Sequence, residues 1–209
     1  MLKNIMYAIL LGVGMAACLA DHNNTGQADA TANTTADETM SDTVEPDTNT
    51  EATDPANLVL GKGQAGRVRI GMPIAEMRSQ VPTGWQIRDT TLQLEGQQYT
   101  AYVLSNSESP HGMLVEQLCE PNCQVWRISI RDTNYRTAQG IGVGSKYGEV
   151  VRQHPIDYTS LGEAGFVAVS EKSGMSFILD SSQLDQNSLH KLKPDQIPAN
   201  TLVRSILIY

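Results

Sequence analysis

Arg69-Ile70-Gly71-Met72-Pro73-Ile74-Ala75-Glu76-Met77-Arg78-Ser79-Gln80-Val81-Pro82 is answered later in the chain by Gly142-Val143-Gly144-Ser145-Lys146-Tyr147-Gly148-Glu149-Val150-Val151-Arg152-Gln153-His154-Pro155. Laid over one another, the two stretches match Gly71 with Gly144, Glu76 with Glu149, Gln80 with Gln153 and Pro82 with Pro155. A large aromatic follows each at the same spacing, Trp85 and Tyr158. Each stretch enters on an extended apolar segment and turns at a glycine, the residue that adopts a sharp turn without steric cost. Ile74, Met77 and Val81, and Tyr147, Val150 and Val151, form apolar stripes at helical spacing. Pro73 suits the first helical turn, where its missing N–H has no partner to lose. Proline then ends each helix.

Outward from these stretches, short alternating segments read as strands: residues 100–104, 113–118, 125–130, 166–169, 176–179 and 202–209. The run Val125-Trp126-Arg127-Ile128-Ser129-Ile130-Arg131 has the apolar and polar alternation of a strand with one buried face. Residues 180–200 are polar and read as a surface excursion, with a helical turn near 189–192. The expected fold is therefore α+β: two tandem units of short helix plus antiparallel strands, about 66–132 and 138–209, making one domain over residues 58–209.

Signs of chemistry are few. Cys119 and Cys123 flank Glu120-Pro121-Asn122 between two strand-like runs and read as a structural disulfide closing a hairpin. No second Cys/His pair stands at zinc-ligand spacing, so no metal and no cofactor are expected. His111, His154 and His190 fall in loops or at helix ends, and Ser109 near His111 defines no triad, since triads are recognised by geometry. The glycine-rich run 140–146 fails the phosphate-loop pattern, because Tyr147 stands where Ser or Thr should follow Lys146. The acids of Glu116 with Glu120, and of Asp180 with Asp185, read as solvated surface.

At the other end, Met1-Leu2-Lys3-Asn4 precedes an uncharged run from Ile5 to Ala17, the layout of a secretory signal (1–17). The run is too short for the ~20 residues of a membrane-spanning helix. Ala16-Ala17 directly before Cys18 resembles the lipobox of bacterial lipoproteins, with Met15 where that pattern prefers Leu. The resemblance implies cleavage before Cys18, lipidation of its thiol and addition of palmitate. Leu19 in place of the retention residue Asp implies sorting to the outer membrane. A cut after Ala20, giving a secreted protein without lipid, is the alternative.

Residues 18–57 carry nine carboxylates and no Lys or Arg. Low hydrophobicity with charge of one sign cannot offset the entropy of ordering, so an acidic, disordered tether is expected. As a flexible coil it would span roughly 35 Å. The chain holds 23 acidic and 15 basic residues, and setting aside those nine acids and Lys3 leaves 14 of each. The domain is near neutral, which excludes the clustered basic face that nucleic-acid binding requires.

Strand, glycine, short helix and further strands together resemble the repeat units of the SmpA-like assembly lipoproteins and of beta-lactamase inhibitory protein. The order Trp126-Arg127-Ile128-Ser129-Ile130, Gly140-Ile141-Gly142-Val143-Gly144, Gly174-Met175-Ser176-Phe177 and Val203-Arg204-Ser205-Ile206-Leu207-Ile208 is similar to the RpoE-regulated enterobacterial lipoproteins of unknown function. That likeness implies an envelope role and assigns no reaction. The expected function is a non-enzymatic interaction module, anchored to the membrane by lipid and binding another envelope protein, with Tyr135 and Tyr209 as candidate anchors. The competing expectation is an envelope hydrolase or small-ligand binder.

Overall fold

Gly71 and Gly144, matched in sequence, take φ of +80° and +85°, a left-handed backbone that side-chain-bearing residues rarely adopt. A computed structural model describes residues 54–94 and 96–209. In it each glycine turns the chain out of an extended segment and into a helix: α1 (Ile74–Ser79) and α2 (Tyr147–Gln153). The backbone contacts about the two turns correspond. Gly71 N–H donates to the Val125 carbonyl and Gly144 N–H to the Val203 carbonyl, both at 2.8 Å. Val125 N–H returns to Met72, and Val203 N–H to Ser145.

Four strands follow each helix: β4 (Gln86–Leu94), β5 (Gln97–Ser105), β6 (Met113–Cys119) and β7 (Cys123–Ile130), then β9 (Tyr158–Gly162), β10 (Gly165–Ser170), β11 (Met175–Leu179) and β12 (Val203–Ile208). They form one antiparallel sheet in the order β4-β5-β6-β7-β12-β11-β10-β9. The two groups of four meet where Ile130, Ser129 and Ile128 of β7 pair with Ile206, Leu207 and Ile208 of β12. A second sheet of short strands has the order β3-β2-β1-β8: β1 (Val59–Gly61), β2 (Gln64–Ala65), β3 (Val68–Arg69) and β8 (Arg136–Thr137).

These sheets overturn the α+β expectation; the described residues are mostly β, with only two short α-helices. The helices are six and seven residues long, and each buries only two side chains, Ile74 and Met77 in α1 and Tyr147 and Val150 in α2. They plug one side of the sheet and do not form a layer of their own. The stripe expected to reach Val81 stops at Gln80, and Pro73 stands just before α1 as its N-cap. Strands β4 and β9, and β1, β2 and β8 of the small sheet, go beyond the expected elements, while β3 falls in the extended segment that enters α1. Residues 54–57, expected in the tether, belong to the fold: Asp54 caps a 3-10 turn (Pro55–Leu58), and the buried Asn57 side chain accepts a bond from Arg67 Nε.

Alternation along each strand sends one set of side chains into the core. Leu104, Met113, Ile128, Ile206, Met175 and Ala168 join Met77, Tyr147 and Val150 in one cluster. The excursion 180–200 contains three 3-10 turns (Ser181–Gln183, Leu189–Lys191, Pro194–Gln196) and tucks Leu189 and Ile197 into the same cluster.

Candidate interaction face

The opposite side of the large sheet is the candidate site. Cross-strand partners share a face, so the register identifies its side chains. One continuous row crosses all eight strands: Arg88, Val103, Leu114, Ser129, Leu207, Ser176, Val169 and Tyr158. Beside it runs a shorter row of Thr90, Ala101, Glu116 and Arg127. Ala101, Val169 and Ile178 are buried apolar residues that stand apart from the core cluster. All three lie on this second face. Its floor is thus apolar or small, unlike the polar outer face usual for an antiparallel sheet.

Larger aromatic groups stand at the margins. Tyr158 and Trp126 are 47% and 46% exposed. Trp126 is an extra residue at a bulge, where Glu116 pairs with Arg127 but Gln117 pairs with Val125. Its ring lies 4.8 Å from the Arg127 guanidinium. Tyr99, opposite Leu92, and Leu118, opposite Gln124, are exposed at the same end. Tyr209 follows Ile208 at the chain end and is exposed.

One ion pair is sunk in this face. Arg127 donates from Nε and Nη2 to the two Glu116 carboxylate oxygens at 2.8 and 2.6 Å. Glu116, expected at the solvated surface beside Glu120, is in fact buried. Two hydrogen bonds from one guanidinium make this possible, because a buried carboxylate needs charge-assisted partners.

Tyr135 lies elsewhere and corrects the expectation of an exposed anchor. It is wholly buried, its ring 6.5 Å from Trp85 in an edge-on arrangement. Burial, aided by the nearby Asp132 charge, holds its hydroxyl ionisation far above the usual tyrosine range. A ring so placed cannot meet a partner. Cys119 and Cys123 are joined in a disulfide at the tip of the β6–β7 hairpin. Cys18 lies outside the described residues.

The histidines do not converge. His111 and His190 are exposed, while His154 is buried 5.4 Å from the Phe177 ring. Ser109 is buried as well. The stretch 140–146 wraps back on residues 135–137, with Thr137 N–H bonded to the Ile141 carbonyl and Arg136 Nη1 to that of Val143. It is a packed turn. Among the described residues, no group of three or more His, Cys, Asp or Glu side chains could hold a metal ion. No described helix is long and apolar enough to cross a membrane. An apolar crevice between Met72, Met77, Trp85 and Met113 encloses about 20 Å³, room for about one water.

The aromatic margin was the feature missed. Trp126 belongs to the strand Val125–Ile130 that alternation does reveal, but the bulge that reorients it leaves no mark in the alternation.

No family model matches the chain, and no curated protein matches it. Among solved structures, the chain is similar to the crystal structure of the uncharacterized protein yfeY from Escherichia coli, with a TM-score of 0.51 and 14% sequence identity. The match covers 71% of this chain and 97% of that one. At this identity the two share a fold, and that protein is itself described as uncharacterized.

Proposed function

We propose that this chain is an outer-membrane lipoprotein whose domain binds another envelope protein through the second face of its eight-stranded sheet. The observation that carries the reading is the row from Arg88 to Tyr158, apolar or small through most of its length. Apolar floors with aromatic and arginine groups at hand are what protein interfaces use: few residues supply most of the binding energy, and Trp, Tyr and Arg are enriched among them. Trp126, Arg127, Tyr158 and Tyr99 supply those types here. The near-neutral domain suits a protein partner better than a polyanion. The signal, Cys18 and Leu19 support delivery to the outer membrane.

Photo-crosslinking in living cells tests this. A photoreactive residue at Trp126 or Tyr158 should give one discrete adduct with another envelope protein. The same residue at Arg152 or His190, both exposed and off the face, should give none. Equal adducts from all four sites, or none from the face, would remove the reading. Complete loss of function from His111→Ala or His190→Ala in a folded protein would replace it with catalysis.

A further inference from the structure

The two ends of the large sheet are treated differently by the chain. At one end, β9 has five residues and is flanked by the excursion: the Thr159 hydroxyl donates to the Leu192 carbonyl just beyond the Leu189–Lys191 turn. At the other end, β4 has nine residues and pairs with β5 alone. Among the described residues, no backbone hydrogen bond reaches its free side.

A long bare edge is a template for pairing, and monomeric proteins blunt such edges with charged side chains (lysine above all), inward-pointing charges, proline, bulges or covering loops. Strand β4, Gln86-Ile87-Arg88-Asp89-Thr90-Thr91-Leu92-Gln93-Leu94, contains no lysine and no proline, and its nine-residue register with β5 is unbroken. Its two charges, Arg88 and Asp89, are opposite in sign, and Arg78 of α1 holds the Asp89 carboxylate within its own chain. It is also suited to pair with itself. A two-fold axis perpendicular to the sheet requires antiparallel partners on the same face, so the axis must pass midway between the two copies of one residue. Centred on Arg88 or Asp89, the pair would set like charges directly opposite, which is destabilising. Centred on Thr90, all nine residues pair: Thr90 meets Thr90, Arg88 meets Leu92 and Asp89 meets Thr91. Threonine opposite threonine is a favourable cross-strand pair.

We propose that β4 pairs with β4 of a second copy of this chain in the register centred on Thr90, giving one continuous sheet across the dimer. The same axis places the second faces of both copies on one side, so the dimer presents two partner-binding surfaces together. The dimer does not depend on what those surfaces bind.

Cysteine scanning in cells making the full chain tests the register. Directly opposed residues in antiparallel strands have Cα atoms about 4.5–5.5 Å apart, within disulfide reach. Thr90→Cys should therefore give a band of doubled mass on a non-reducing gel, absent in the unsubstituted chain. Gln93→Cys, which the register sets far from its own copy, should not. Thr90→Lys and Thr90→Glu should each sediment as monomers, and their mixture should regain the dimer mass, with melting curves confirming that each is folded. Equal cross-linking from both cysteine variants, or from neither, overturns the proposal. So does a monomer mass for the unsubstituted chain at every concentration up to its solubility limit.

Discussion

Arg127 holds Glu116 from one strand to the next while its guanidinium also lies over the Trp126 ring, so one side chain serves a buried charge and an exposed aromatic together. The two partners are unequally placed, with side-chain exposures of 29% for the arginine and 7% for the acid. Removing the arginine strands a carboxylate in the sheet. Removing the acid frees a cation that can still reach water.

Arg127→Ala should therefore destabilise the domain by about 3 kcal/mol, and Glu116→Ala by only about 1 kcal/mol. The double change to Val should recover much of the first loss, because apolar replacement of a buried pair is often near neutral. Urea unfolding of the two single variants and the double variant measures all three. Equal losses from the two single changes would refute the asymmetry.

A second prediction concerns pH. Burial lowers the His154 pKa below its ordinary value of 6.5, and no hydrogen-bond partner for Nε2 is present among the described residues. Below that value the unfolded chain binds a proton that the folded chain resists. Stability contributed by neutral His154 is complete above about 6.5 and is lost as pH falls toward the lowered folded value. The melting temperature should thus fall through this window in the parent protein. His154→Leu should lose this part of the slope, and an unchanged slope would show that His154 does not carry it.

The disulfide closes a loop with a sequence separation of only four. Loop-entropy reasoning gives such a short closure about 2 kcal/mol. Cys119→Ser with Cys123→Ser should accordingly lower stability modestly and leave the sheet intact. If the proposed face binds a partner, its capture should weaken as well, since Leu118 adjoins Cys119 and Trp126 follows Cys123 in the same strand. Thiol titration before and after reduction, followed by a melt, tests the first part.

Six strands and both helices were legible because their cores alternate or recur cleanly, as Val125–Ile130 and the Gly71 and Gly144 turns illustrate. Strand β4 escaped because an edge strand needs only partial burial: Arg88, Asp89, Thr90 and Thr91 interrupt its apolar rhythm. Strand β9 escaped for a similar reason, with Tyr158 and Leu161 exposed and no fully buried position. Those two strands, with the short second sheet, shift the fold from α+β to mostly β. Tyr135 was misplaced because its neighbours Asp132, Thr133 and Asn134 read as a loop. They do form one, but Asp132 is itself buried and accepts bonds from Gly112 and Asn134, and Tyr135 turns into the core behind it. The floor of the candidate face was visible only through strand register, which pairs residues far apart in sequence.

The last prediction concerns the anchor. Cys18→Ser should block lipidation, abolish labelling by a palmitate analogue and move the protein from the membrane fraction to the soluble one. The domain should still fold, since the substitution is far in sequence from the core residues Leu60 through Ile208. Loss of partner capture in this variant, with the face intact, would mean that co-localisation at the membrane supplies much of the effective concentration. A tether raises local concentration according to its reach, so the loss should be restored by fusing the domain to an unrelated lipid anchor through a neutral spacer of equal length. Restoration would assign the acidic segment a spacing role alone. Failure to restore, with the fusion correctly anchored, would assign the carboxylates of residues 19–53 a contact of their own. Labelling and membrane retention of Cys18→Ser equal to the parent would instead remove the lipoprotein reading.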